Sequence, residues 1–192
     1  MKVMTKRTAT WAQVKASLST VDRTGLLGVI QNLYDASDVN RRFLHARFVP
    51  AASALKEYRR LVRMAVFPDP LSKRPIRLRD ATATITECKR ATGDLSGTVD
   101  LMLEFVEAGT EQAADLGYGD DAYFAALERK VQEIVSALDA LAEADRESVI
   151  ARLVALGKYE AAIGWGYGDF LADVAATVRN RRVGSTRRQR AV

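Results

Sequence analysis

Scarcity is the first information in this 192-residue chain: it holds one histidine, His45, and one cysteine, Cys88. A lone cysteine excludes an internal disulfide, and one residue of each type cannot supply the ligand set of an ordinary zinc site. A di-iron bundle needs Glu-x-x-His pairs on two helices, and no glutamate stands three residues before His45. Ser-His or Cys-His catalysis has a single imidazole to draw on. No Gly-x-Ser-x-Gly elbow and no Gly-x-x-x-x-Gly-Lys phosphate loop is present. No apolar run reaches the roughly 18–20 residues that cross a bilayer. The basic start, Met1 to Arg7, leads into no apolar signal core. These absences lead us to expect a cytoplasmic protein with no membrane association, no cofactor and no catalytic residue.

Also missing are β-branched and aromatic runs of the strand type, and proline is confined. Pro68, Pro70 and Pro75 mark one loop, and Pro50 is placed for the first turn of a helix. Elsewhere apolar residues recur at steps of three and four. Thr10 caps a short helix through Leu18; Ser19 and Thr20 open the next, and Ser37 and Asp38 a third. A fourth carries Leu55, Tyr58, Leu61 and Val62. After the proline loop, Arg77–Ala91 is a helix stopped by Gly93. The next carries Leu95, Val99, Met102, Leu103 and Val106, and ends at Gly117. Phe124, Leu127, Val131, Ile134, Leu138 and Leu141 form one seam, which predicts a long helix from Asp121 to about Ala144. Another follows over 146–156. The fold expected is all-α, about eight helices in antiparallel hairpins, as a bundle or short irregular solenoid. A basic extension over 1–9, one helical domain over 10–180 and a disordered arginine-rich tail over 181–192 complete that layout.

Charge is sharply segregated. Residues 1–90 carry a balance of +11, residues 91–178 of −12, and residues 179–192 of +6, for a total of +5. Either the two halves form a bipolar surface that steers a partner, or the basic half packs on the acidic one and neutralises it. Asp100, Glu104, Glu107 and Glu111 share one helix face. That stripe reads as a solvated acidic face, a seat for basic side chains, or an oxygen site for a divalent cation. Lys56, Arg59, Arg60, Arg63, Lys73 and Arg74, with Arg187, Arg188 and Arg190 of the tail, have the clustering that phosphate contacts require. They suggest nonspecific nucleic-acid binding, since neither interleaved exposed aromatics nor finger spacing is there to read bases.

The most specific local feature occurs twice: Gly117-Tyr118-Gly119-Asp120 and Gly166-Tyr167-Gly168-Asp169, each ahead of a helical pattern. Each aspartate is placed to accept from the first free amides of a helix, Asp169 capping Phe170 to about Arg179. Three glycines around Trp165 and Tyr167 cost helix propensity of about 1 kcal/mol each. They imply close backbone approach, either to a neighbouring helix or to a ligand. Trp165 is expected to be buried. Trp165, Tyr167, Asp169, Tyr118 and Asp120 are the candidate partner-binding residues, and Asp169 and Trp165 would serve an enzyme only if they met Glu104 or Glu107 in one pocket.

Several blocks in order resemble an uncharacterised bacterial family, domain of unknown function 6155. They are Leu33-Tyr34-Asp35-Ala36-Ser37, Phe67-Pro68, the run Asp100 to Gly109, Tyr118-Gly119-Asp120 with Tyr123-Phe124, and Ile163 to Asp169. The resemblance implies a helical fold and supplies no reaction. It also implies a histidine at the position held here by Gly168, so a role for that side chain is absent from this chain. A fainter likeness, Leu156 to Ile163, is similar to the inter-helix turn of a tetratricopeptide repeat, but no second copy follows at about 34 residues. The leading expectation is a non-catalytic interaction or adaptor module whose partner is another protein. Nucleic-acid binding and an enzyme site at 164–169 are the alternatives. The sequence fixes no oligomeric state.

Overall fold

Short polar residues start most of the helices, and glycines in the left-handed region stop two of them. The computed structural model describes residues 10–49, 51–163 and 166–189, without the side chains of 51–53 and 181–189. Its regular structure is helical, with no strand among the described residues. The expected position of Pro50 at a helix start, and that of Trp165 in the core, lie outside the described residues. The chain divides into two compact units, one up to His45 and one from Ala46 onward.

The first unit contains α1 (Trp11–Leu18) and α2 (Arg23–Ala36), and α3 (Asp38–Phe48) runs across the boundary. At the start of α1, the Gln13 side chain accepts from the Thr10 amide at 2.9 Å. α2 begins later than Ser19 and Thr20 suggested. Asp22 takes the cap, accepting from the Gly25 amide at 2.8 Å. The Ser37 hydroxyl accepts from the Asn40 amide at 3.1 Å and starts α3. His45 has a structural role here, with its Nε2 3.0 Å from the Tyr34 hydroxyl. Neither α1 nor α2 buries a residue.

The second unit is built around α6 (Leu95–Leu116), against which α4 (Ala51–Val66), α5 (Leu78–Thr92), α7 (Asp121–Ala137) and α8 (Glu143–Leu156) all pack. Thirteen of the 22 residues of α6 are buried, so it is enclosed on nearly every side. Small residues make that enclosure feasible. At Gly109 a Cβ would meet Leu127 at 2.5 Å, and the Gly109 carbonyl instead accepts from the Tyr123 hydroxyl at 2.9 Å. Gly93 and Gly117, at φ +67° and +60°, end α5 and α6. Phe105, Leu101, Leu103, Leu127, Ile134, Leu153 and Leu171 form the centre of the core.

Two helix ends differ from expectation. The seam is buried from Leu127 through Leu141, with Phe124 half-buried, but the helix expected over 121–144 stops at Ala137. A 3₁₀ turn, Leu138–Ala140, follows, and Leu141 is extended. Leu138 and Leu141 are three apart, a spacing that suits 3₁₀ and α geometry alike, so the pattern could not locate the stop. The break lets α8 return onto α6. At the other end, α9 (Glu160–Ile163) precedes α10, which starts at Tyr167, three residues earlier than expected. Its backbone is helical to Gln189, past Arg179 and into the segment expected to be a disordered tail. Arginine has helix propensity close to the best, and no proline interrupts 167–189.

Candidate functional site

Three arginines from two helices converge on the acidic stripe of α6. Arg59, from α4, is bound to Asp100. Arg63, one turn further, bridges Glu104 at 3.0 Å and Glu111 at 2.5 Å. From α8, Arg152 meets both oxygens of Glu107, at 2.8 and 2.6 Å, and reaches Asp100 at 2.7 Å. The Arg152–Glu107 contact is the planar fork that suits guanidinium to carboxylate. Burial alone would lower the pKa of Arg152. Its hydrogen bonds and charge contacts with Glu107 and Asp100 outweigh that and raise it well above the usual range. Arg63 is raised in the same way by Glu104 and Glu111, against the opposing effect of burial.

The stripe is thus a seat for basic side chains. Two of its arginines come from the basic half and one, Arg152, from the acidic half itself. Arg152 escaped the sequence reading. A signal was available, since it lies three residues after Val149 and one before Leu153, within the buried face of α8. Among the described residues no cluster of three or more His, Cys, Asp or Glu is placed to hold a metal ion. Glu104 and Glu107, which an enzyme site at 164–169 would need, are engaged by Arg63 and Arg152.

The other basic candidates are placed differently. Lys56, Arg60, Lys73 and Arg74 are exposed. Arg60 lies against the Met64 sulfur at 2.9 Å, and Lys73 takes a left-handed conformation after the 3₁₀ turn Pro70–Ser72. Arg187 and Arg188 lie on the backbone of α10 without described side chains, and Arg190 is outside the described residues.

The two glycine-tyrosine turns are brought together. Tyr118 packs edge-on against Tyr123, Tyr123 against Phe124, Phe124 stacks on Tyr167 at 5.1 Å, and Tyr167 stacks on Phe170. The Tyr167 hydroxyl lies 2.9 Å from Thr110 Oγ1 on α6. Burial pushes the Tyr167 and Tyr123 phenols above their ordinary range, so both are neutral hydrogen-bonding groups in the interior. Tyr118, 48% exposed, is the open end of this row.

Asp120 caps α7, accepting from the Tyr123 amide at 2.7 Å. Asp169 does something else: it lies inside the first turn of α10, and its carboxylate accepts from the Gly166 amide at 3.3 Å. The close approach implied by the glycines occurs at Gly168, where a Cβ would stand 2.6 Å from the Glu160 carbonyl oxygen. No side chain fits there without moving backbone. Trp165 lies outside the described residues. No helix among the described residues is long and apolar enough to cross a membrane.

Sequence reasoning also missed a groove along α6. Leu95, Val99 and Met102 form its floor; Lys89 of α5 stands on one wall, and Arg129, Gln132, Glu133 and Ser136 of α7 on the other. It encloses about 500 Å³. The signal lay in the α6 stripe: Leu95 and Met102 belong to it, yet Leu95 is 37% exposed and Met102 half-buried. The chain matches no family model, no curated protein and no solved structure, so the likeness to domain of unknown function 6155 stands on the sequence blocks alone.

Proposed function

We propose that this chain is a non-catalytic protein-interaction module whose partner, another protein, docks on the first unit. The observation that carries the reading is the exposure of that unit's apolar residues: Trp11 at 70%, Leu27 at 57%, Leu33 at 52% and Val39 at 50%. Leu27, Ile30 and Leu33 recur at steps of three on α2, and a contiguous exposed stripe of this kind is the usual mark of an interaction surface. The groups with catalytic potential in the second unit support the same reading, because the α6 carboxylates are held by guanidinium groups and the buried tyrosines are neutral.

The test is site-specific photocrosslinking of the full chain in a bacterial host. A photoreactive residue at Leu27 or Leu33 should capture one reproducible protein, and Ile30→Asp should abolish that capture. A residue at Leu71, which is 90% exposed in the proline loop, serves as the control. Equal capture from positions 27, 33 and 71, or none from any, overturns the reading.

A second reading, nonspecific nucleic-acid binding, is favoured by the exposure of Lys56, Arg60, Lys73 and Arg74. It predicts affinity that falls steeply with salt. Because Arg59 is already bound to Asp100, Arg60→Ala should flatten the salt slope more than Arg59→Ala. A gel-shift titration showing no binding at about 50 mM salt ends this reading.

A further inference from the structure

The groove on the second unit goes beyond that proposal, being a different surface with its own chemistry. α6 is buried on nearly every side, yet it leaves Leu95 and Met102 partly open along one line, with the buried Val99 between them. Their spacing of four and three residues covers two turns, about 10 Å along the axis. An occupying helix with apolar residues at i, i+3 or i+4, and i+7 presents the same length of stripe. Methionine suits such a floor because its unbranched side chain adapts to what covers it.

The walls specify the charge of the occupant. Lys89 and Arg129 are exposed on opposite walls, and among the described residues neither forms an ion pair. The one acid of the lining, Glu133, is held by Lys130 at 2.7 Å. An apolar floor between two available cations complements an apolar stripe flanked by carboxylates. We propose that this groove docks an acidic amphipathic helix of a partner protein, its apolar residues on the partly open Leu95 and Met102 and its carboxylates on Lys89 and Arg129.

The test is fluorescence anisotropy of the full chain with two synthetic helical peptides of about four turns. They share one leucine stripe, flanked by glutamates in one and by lysines in the other. The acidic peptide should bind at least tenfold more tightly than the basic one. Met102→Glu should weaken it tenfold or more, with circular dichroism confirming the fold. Lys89→Glu with Arg129→Glu, both at exposed positions, should invert the preference so that the basic peptide binds better. The α2 variant Ile30→Asp should leave peptide binding unchanged, which separates this groove from the surface on the first unit. Equal binding of the two peptides, no binding of either, or a preference that survives the charge reversal overturns the proposal. So does concentration-dependent self-association of the wild-type chain that Met102→Glu abolishes, since a second copy would then be what covers the groove.

Discussion

The two units use the same helix grammar with opposite outcomes. α2 and α6 both carry apolar residues at steps of three and four, both start at an aspartate cap position, and both lack proline. α2 buries none of its 14 residues, whereas α6 buries most of its 22. The difference lies in what surrounds them. α6 has glycine, alanine and threonine at the positions where neighbours must come close, and arginines on α4 and α8 to neutralise its carboxylates. α2 presents large apolar side chains, and the structure leaves them exposed. A stripe says that a helix has a face to cover; a small residue marks an internal covering only where a neighbour sits on it, as Leu127 does at Gly109 of α6 and nothing does at Gly28 of α2.

The sharpest way to break this comparison is truncation at the centre of the second unit. Phe105→Ala removes a side chain 1% exposed at the heart of α6 and should cost about 3–5 kcal/mol in a denaturant titration. A cost near zero would mean that α6 is not the centre of the core.

Next in size are the ion pairs. The Arg152, Glu107 and Asp100 side chains are 30%, 24% and 22% exposed. Arg152→Ala strands the partly buried Glu107, while Asp100 keeps Arg59, and should cost about 1–3 kcal/mol. The first unit's pair, Arg41 with Asp38 at 41% and 79% exposure, is screened by solvent, and Arg41→Ala should cost less than about 1 kcal/mol. Equal losses for the two would remove the α6 ion pairs from the account.

The tyrosines sharpen the comparison through pH. Burial raises the phenol pKa of Tyr123 and Tyr167 in the folded chain above the ordinary value near 10. A group raised in this way contributes stability that is complete below the unfolded value and is lost as pH climbs toward the folded one. Stability should therefore decline above about pH 10. Tyr167→Phe should reduce that decline while also losing the Thr110 hydrogen bond. Denaturant midpoints measured across alkaline pH provide the check.

The smallest effect belongs to the exposed stripe. Leu33→Ala, at a side chain already 52% exposed, should change stability by no more than about 0.5 kcal/mol. A loss of several kcal/mol would show that the residue is buried in solution.

Much of the second unit was legible in its residues. Gly93, Gly117 and Asp120, like Thr10 in the first unit, marked helix ends correctly because caps are local, and the Leu127–Leu138 seam is buried as its spacing implied. What escaped depends on neighbours distant in sequence. The stop at Ala137 goes with α8 folding back on α6, and Asp169 serves the first turn from within because α10 begins at Tyr167. Gly168 announced a close approach, but only the fold names the Glu160 carbonyl as the group approached. The acidic stripe was visible, while its third cation, Arg152, came from the acidic half, where charge totals pointed the wrong way. The groove was hidden for the same reason. A stripe does not reveal that two of its members will stay half open.

Amide hydrogen exchange of the full chain tests the central contrast most directly. Helices with a covered face open only with the global fold, whereas helices that bury nothing open locally and cheaply. Amides of α6 should exchange only through global unfolding, and those of α1 and α2 orders of magnitude faster. Protection of α2 equal to that of α6 in the isolated chain would contradict the account, because it would mean that the first unit's stripe is already covered.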